Sequence, residues 1–136
     1  WLLSHLQTEL ETNLPDEPQV RLDAIIDRML PAAGDEAEIR FRRAILEMRA
    51  QAPYYETYHD QFRRSDELIL GELTEILETG VETGEFRDVD PEETAELLYS
   101  LVYGTLERGV SLEDEAMLAD SRTQIDRYLE RTVYET

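Results

Sequence analysis

Glu56-x-x-His59 is the pair in this sequence whose spacing comes nearest to a metal-binding motif. Side chains three apart share a helix face, and Glu-x-x-His on each of two helices, joined by two further glutamates, holds a two-metal centre. The other histidine is His5, and Leu2 stands where its glutamate would have to be, so half of such a centre is missing. There is no cysteine, which removes thiolate ligands, thiol nucleophiles and disulfides. No Gly-x-Ser-x-Gly elbow and no glycine-rich phosphate loop is present. These absences point away from an enzyme, and no cofactor or metal is expected.

A different chemistry is suggested by Tyr54, Tyr55, Tyr58 and Phe62, which follow the stripe Phe41, Ile45 and Met48. Aromatic rings and a soft thioether suit an adaptable apolar or cationic ligand. The expected ligand-binding set is therefore Phe41, Ile45, Met48, Tyr55, Tyr58, Phe62 and Asp66. An ordinary core would use the same residue types. Asp66 is the odd member, because it falls on an apolar helix face between Phe62 and Ile69. A charge there needs a partner, either an arginine or a ligand group, unless the stripe twists and leaves it in solvent.

These residues must be positioned by helices, since apolar positions recur with helical period and no segment alternates as a strand does. The first helix is expected over residues 1 to 13, with Leu3, Leu6 and Leu10 inward. The second spans about 18 to 32, with Leu22, Ile25, Ile26, Met29 and Leu30 as its stripe. Asp35 caps a third helix, with Glu38 completing a capping box. The long fourth helix runs from about 54 to 83, before Gly84. Asp90-Pro91-Glu92-Glu93 combines a cap, a first-turn proline and acids at the positive dipole end, and starts a fifth helix that Gly109 is expected to end. The sixth starts at Ser111 with Asp114 and reaches about Val133. The fold class is thus all-α, a six-helix bundle forming one domain over residues 1 to 136.

The fifth helix carries Leu97, Leu98, Leu101 and Val102 on one side and Ala95, Tyr99, Tyr103 and Leu106 on another. An apolar arc this wide calls for two partners. One is the chain's own core; the other is expected to be a second copy. The expected homodimer interface is Leu97, Leu101, Gly104, Leu118, Ile125 and Leu129, with a single buried central helix as the alternative.

The net charge of -19 repels phosphate, so the chain itself is not expected to bind nucleic acid or an anionic membrane surface. No apolar run approaches the ~20 residues of a membrane span. All thirteen basic residues are arginine. Excess acid with no lysine is the composition expected of a halophile's protein, whose self-repulsion concentrated salt screens within about 3 Å. With 41% hydrophobic residues, a real core can still form. Trp1 opens directly into a helical pattern without methionine or a signal peptide, so a fragment and a cytoplasmic location are expected.

The stretch Ile76-Leu77-Glu78-Thr79-Gly80-Val81-Glu82-Thr83-Gly84-Glu85-Phe86, followed by Val89-Asp90-Pro91-Glu92-Glu93-Thr94-Ala95 and by Tyr103-Gly104, resembles the regulatory half of TetR-family transcriptional repressors. The resemblance extends over most of residues 35 to 134. It implies a TetR-type C-terminal regulatory domain that senses an unidentified small-molecule effector and dimerises through its last two helices. It also implies that DNA is contacted only through an N-terminal helix-turn-helix domain missing from this sequence. The rival reading is a helical dimerisation module without a ligand.

The charge generates the first prediction. Near 0.01 M salt the Debye length reaches about 30 Å and the acidic surface repels itself across the whole domain. Helical circular dichroism should be lost there and restored in multimolar salt; equal stability across the series would refute the halophilic reading.

Overall fold

The computed structural model describes residues 7, 8, 10, 14–31 and 35–135. It contains α1 (Pro18–Met29), α2 (Glu36–Ala50), α3 (Glu56–Thr83), α4 (Pro91–Ser111) and α5 (Glu115–Tyr128). A π-helical turn, Leu129–Val133, closes the last of them. Among the described residues the fold is all-α with five helices, and its sole extended pairing is a bridge between Phe86 and Tyr134. The helix expected over residues 1 to 13 lies mostly outside the described residues; of it, Gln7, Thr8 and Leu10 are helical and Leu10 is buried.

Local signals set the helix starts. Asp35, Asp90 and Asp114 each accept a hydrogen bond from a backbone N–H three residues on, at Glu38, Glu93 and Met117. Such caps satisfy donors that a helix cannot pair internally. Pro18 and Pro91 occupy first turns, where the missing N–H costs nothing. Several boundaries differ from expectation: α1 ends at Met29, short of 32, and α3 starts at Glu56 rather than 54. Gly109 does not end α4, which continues to Ser111, and Asp114 rather than Ser111 caps α5. Gly109 is buried because Leu118 lies against it, so its lack of a side chain serves packing.

The core joins α1, α3, α4 and the chain end. Leu22, Ile25, Ile26, Leu73, Leu77, Leu98, Val102, Val110, Leu129 and Val133 are almost wholly shielded from water. The α3–α4 connection is shaped by Gly84, which takes the left-handed conformation (φ 79°) that ends α3. The chain then doubles back, so that the Phe86 N–H donates to the Gly80 carbonyl at 2.9 Å and the Phe86 ring covers Gly80. Phe86 in turn pairs with Tyr134, ring centroids 5.3 Å apart, while the Tyr134 hydroxyl donates to Asp23 Oδ1 at 2.7 Å. The chain end is thereby fastened to α1 and to the α3–α4 turn.

A methyl group at Gly80 would lie 2.1 Å from the Phe86 ring, whereas one at Gly71 meets nothing within 4 Å. Gly80→Ala should therefore destabilise the domain by about 1–3 kcal/mol through overpacking. Gly71→Ala, on the exposed side of the same helix, should stabilise it by roughly 0.5–1 kcal/mol. Urea denaturation of both variants checks the opposite signs.

Candidate functional site

Where α1, α2, α3 and α4 converge they enclose a cavity of about 380 Å³. Its walls are Ile25 and Met29 of α1 with Leu30 and Pro31 beyond it, Phe41 and Ile45 of α2, Ile69 of α3, and Tyr99, Val102, Tyr103 and Leu106 of α4. Leu10 contributes from the N-terminal side. The volume and the apolar walls are those of small-molecule pockets. Charged groups also line it, namely Asp27, Arg28, Asp35, Glu38 and Arg42. Several are already engaged: Asp27 with Arg122 at 2.6 Å, Asp35 as the cap of α2, and Glu38 with Arg42 at 2.8 Å.

One wall of the cavity is backed by a polar cluster. Arg49 donates two hydrogen bonds to Asp66, at 2.9 Å to Oδ1 and 2.7 Å to Oδ2. The Tyr99 hydroxyl donates to the same Oδ1 at 2.7 Å. The Arg49 guanidinium lies 4.5 Å from the Tyr103 ring centroid and 5.4 Å from that of Phe62. Tyr99 and Tyr103 meet edge to face at 5.7 Å. The charge that sequence left without an assigned partner thus has two. Desolvation, reinforced by the bond to Asp66, pushes the Tyr99 phenol well above its ordinary 10.0. Desolvation likewise raises Tyr103 and Tyr134, and raises the Asp23 carboxyl that Tyr134 faces.

Phe41 and Ile45, from the expected ligand-binding set, line the cavity. Phe62 and Asp66 lie in the cluster behind it. Met48 and Tyr55 are exposed, 39% and 57%, and with Tyr58 they are not brought to the cavity wall. Tyr55 stands at the N-cap position of α3 without a capping hydrogen bond, and Tyr58 packs edge-on against it at 5.8 Å, within the first turn of that helix. Tyr99, Val102, Tyr103 and Leu106 line the cavity but stand outside the expected ligand-binding set; their spacing of three and four is the sequence signal that sets them on one helix face. His59 is exposed beside Asp60, and among the described residues no three His, Asp or Glu side chains converge as metal ligands. His5 lies outside the described residues.

Of the expected interface residues, Leu97 and Leu101 remain exposed, 49% and 37%, and Gly104 faces open space. Leu101, Gly104 and Ile125 border one shallow groove between α4 and α5, with Thr105 and Tyr128. Leu118, Ile125 and Leu129 are buried in the chain's own fold, at 6%, 4% and 0% exposure, with Leu118 against Gly109. The apolar side assigned to Leu97, Leu98, Leu101 and Val102 is therefore divided: Leu98 and Val102 face inward, Leu97 and Leu101 outward. No helix among the described residues is long and apolar enough to cross a membrane.

Among the described residues the chain is thus a five-helix domain with a cavity among its first four helices. Residues 18–133 match the C-terminal domain family of BetI-type transcriptional repressors, and the chain belongs to that family, within the TetR class. The chain is similar to a TetR transcription regulator from Haloarcula marismortui, with 30% identity and a TM-score of 0.87 over 97% of this chain and 73% of that one. It shares its fold with a protein of Saccharomonospora viridis described as a transcriptional regulator and solved in complex with choline (19% identity, TM-score 0.80, 98% of this chain and 68% of that one). It also shares it with a TetR-family protein of Rhodococcus sp. (23% identity, TM-score 0.76, 95% and 68%). No functionally curated protein matches the chain significantly.

The raised phenols predict an alkaline transition. A folded-state pKa above the unfolded value means that the unfolded chain releases its protons first. The stabilisation is complete below pH 10 and declines as the pH rises through 10 toward the higher folded value. Denaturant midpoints at roughly pH 8 and pH 11 should show this loss. Tyr99→Phe should cost about 1–3 kcal/mol at the lower pH, by removing a donor to a charged acceptor, and should show a smaller alkaline loss.

Proposed function

We propose that this chain is the effector-sensing and dimerising part of a TetR-like transcriptional repressor of a halophile, acting in the cytoplasm and without enzymatic activity. Residues 1–136 form its single ligand-sensing and dimerisation domain. The observation that carries the reading is the apolar cavity walled by four helices. A domain that only dimerised would have no use for a void where its core could close, since unfilled volume costs stability. The choline complex of the Saccharomonospora viridis protein supports it, because a relative of the same fold was solved with a small molecule. Phe41, Ile45, Tyr99, Val102, Tyr103 and Leu106 are the ligand contacts of this reading. Asp66 holds Tyr99 directly, and Phe62 borders the Arg49 guanidinium that covers Tyr103.

Dimerisation uses the outward face of α4 beside α5, centred on Leu97, Leu101 and Gly104. A two-fold axis there sets each exposed leucine against a copy of the same surface. DNA is contacted through an N-terminal helix-turn-helix domain outside this sequence, whose separation in the dimer the effector changes. The effector acts by binding one arrangement of the helices better than the other.

Two substitutions separate the functions. The chain is screened by thermal shift against neutral amphiphiles such as indole and phenylalkanols. A ligand at a hundredfold its Kd stabilises by about 2.7 kcal/mol. Ile45→Trp fills the cavity and should abolish the shift while sedimentation still shows a dimer. Leu101→Arg buries an unpaired charge at the seam and should give a monomer that still responds to ligand. A domain in which no neutral ligand binds, yet which dimerises, would be the module without an effector.

A further inference from the structure

The surroundings of Arg49 have the composition of a ligand site. Its guanidinium is bordered by the Tyr103 and Phe62 rings at 4.5 and 5.4 Å and is held bidentately by Asp66. The Tyr99 hydroxyl fixes that carboxylate from a third helix at 2.7 Å. Aromatic faces around a carboxylate are how proteins hold organic cations, such as quaternary ammonium and guanidinium compounds. In this chain the cation is part of the protein. The cluster also reaches solvent, since the side chains of Arg49 and Asp66 keep 31% and 26% of their surface. Tyr99 and Tyr103 belong to both this cluster and the cavity wall.

We propose that Phe62, Asp66, Tyr99 and Tyr103 form an organic-cation site that the chain fills with its own Arg49, and that Arg49 thereby restricts the effector to uncharged molecules. The first half stands on the cluster alone; the second rests on the effector reading above. A tethered guanidinium competes at an effective concentration of about millimolar or more, and its planar fork already matches the carboxylate. Among the described residues a free cation meets no unpaired carboxylate in the cavity. The carboxylates that line it are Asp27, Asp35 and Glu38, and each is committed, to Arg122, to the α2 cap and to Arg42. A cation entering there would shed water for ring faces and for carboxylates that already hold partners. Neutral ligands face no such loss, and the Tyr99 and Tyr103 rings offer them apolar surface.

The test uses tetramethylammonium and methylguanidinium on the intact chain, in the salt that keeps it folded, read by thermal shift and calorimetry. Wild type should not respond at millimolar concentrations. Arg49→Ala empties the box; it should melt lower and recover part of the loss with either cation. Because that variant leaves Asp66 without its counter-charge, Arg49→Ala/Asp66→Asn is measured in parallel. It has no unpaired charge and should bind tetramethylammonium about tenfold more weakly than Arg49→Ala, with the rings alone as partners. Wild type binding as tightly as Arg49→Ala would overturn the proposal. So would two variants that neither bind nor are restored in folding by either cation. A chain that takes no neutral ligand would sink the effector reading, yet it would leave the self-filled box standing, since the response of Arg49→Ala does not need the cavity.

Discussion

A carboxylate on the apolar face of a helix must be neutralised or expelled, and α3 carries one at Asp66, between Phe62 and Ile69. Expelling it would turn Phe62 and Ile69 toward water with it. Neutralising it requires a cation from another helix, and Arg49 of α2 supplies one, while Tyr99 of α4 supplies a further hydrogen bond. Three helices are thereby tied at one point, with the charge-assisted geometry that makes bidentate pairs specific. The pair is half-buried and its contribution to stability is modest for that reason. Its larger consequence is positional. With Arg49 fixed over Tyr103, and Tyr99 fixed by Asp66, the two tyrosines are held as one wall of the cavity.

The acidic surface imposes a second constraint, because few cations are available to satisfy many carboxylates. With thirteen arginines against thirty-two acids, several arginines pair with an acid of another element. Arg21 of α1 pairs with Glu72 of α3, Arg43 of α2 with Glu113 after α4 at 2.7 Å, and Arg122 of α5 with Asp27 of α1. Most remaining acids stand on exposed faces. Glu75, Glu78, Glu92, Glu93 and Glu96 line a shallow groove between α3 and α4 and repel anions along it. These arginines therefore act as cross-links between helices whose outer faces repel one another.

Much of the fold was legible in sequence because its signals are local. Asp35, Asp90 and Asp114 stand before their helices, and Gly80, Gly84 and Phe86 are spaced so that a left-handed residue returns a ring onto a glycine. The site was less legible, because a pocket is made between elements. Periodicity puts Tyr55 and Tyr58 in the stripe of α3 but cannot say that the stripe begins beyond the reach of its neighbours. It shows Asp66 needing a partner but not that the partner stands seventeen positions earlier on another helix. Gly109 reads as a stop in sequence, and only the packing of Leu118 across it shows why a helix runs through a glycine. Leu129 and Leu118 read as seam residues because an apolar residue carries no mark of whose core it joins.

The helix α4 gives the proposed mechanism a route. Tyr99, Val102, Tyr103 and Leu106 face the cavity, at a spacing that keeps them on one side. Leu97, Leu101 and Gly104 fall on the opposite side by the same 3.6-residue turn, and they are the exposed positions. A rigid helix cannot rotate or shift one face without carrying the other, so a ligand that displaces Tyr103 or Val102 also moves the outward leucines. The displacement need not be large, since packed interfaces switch between discrete arrangements rather than deforming continuously. The opposing restraint is the Arg49–Asp66–Tyr99 cluster, which holds α4 to α2 and α3 in the present arrangement. A ligand that enters beside Tyr99 must either fit that arrangement or work against those hydrogen bonds. On the proposed function, the ligand's differential affinity for the arrangement that these hydrogen bonds hold would set the size of the response.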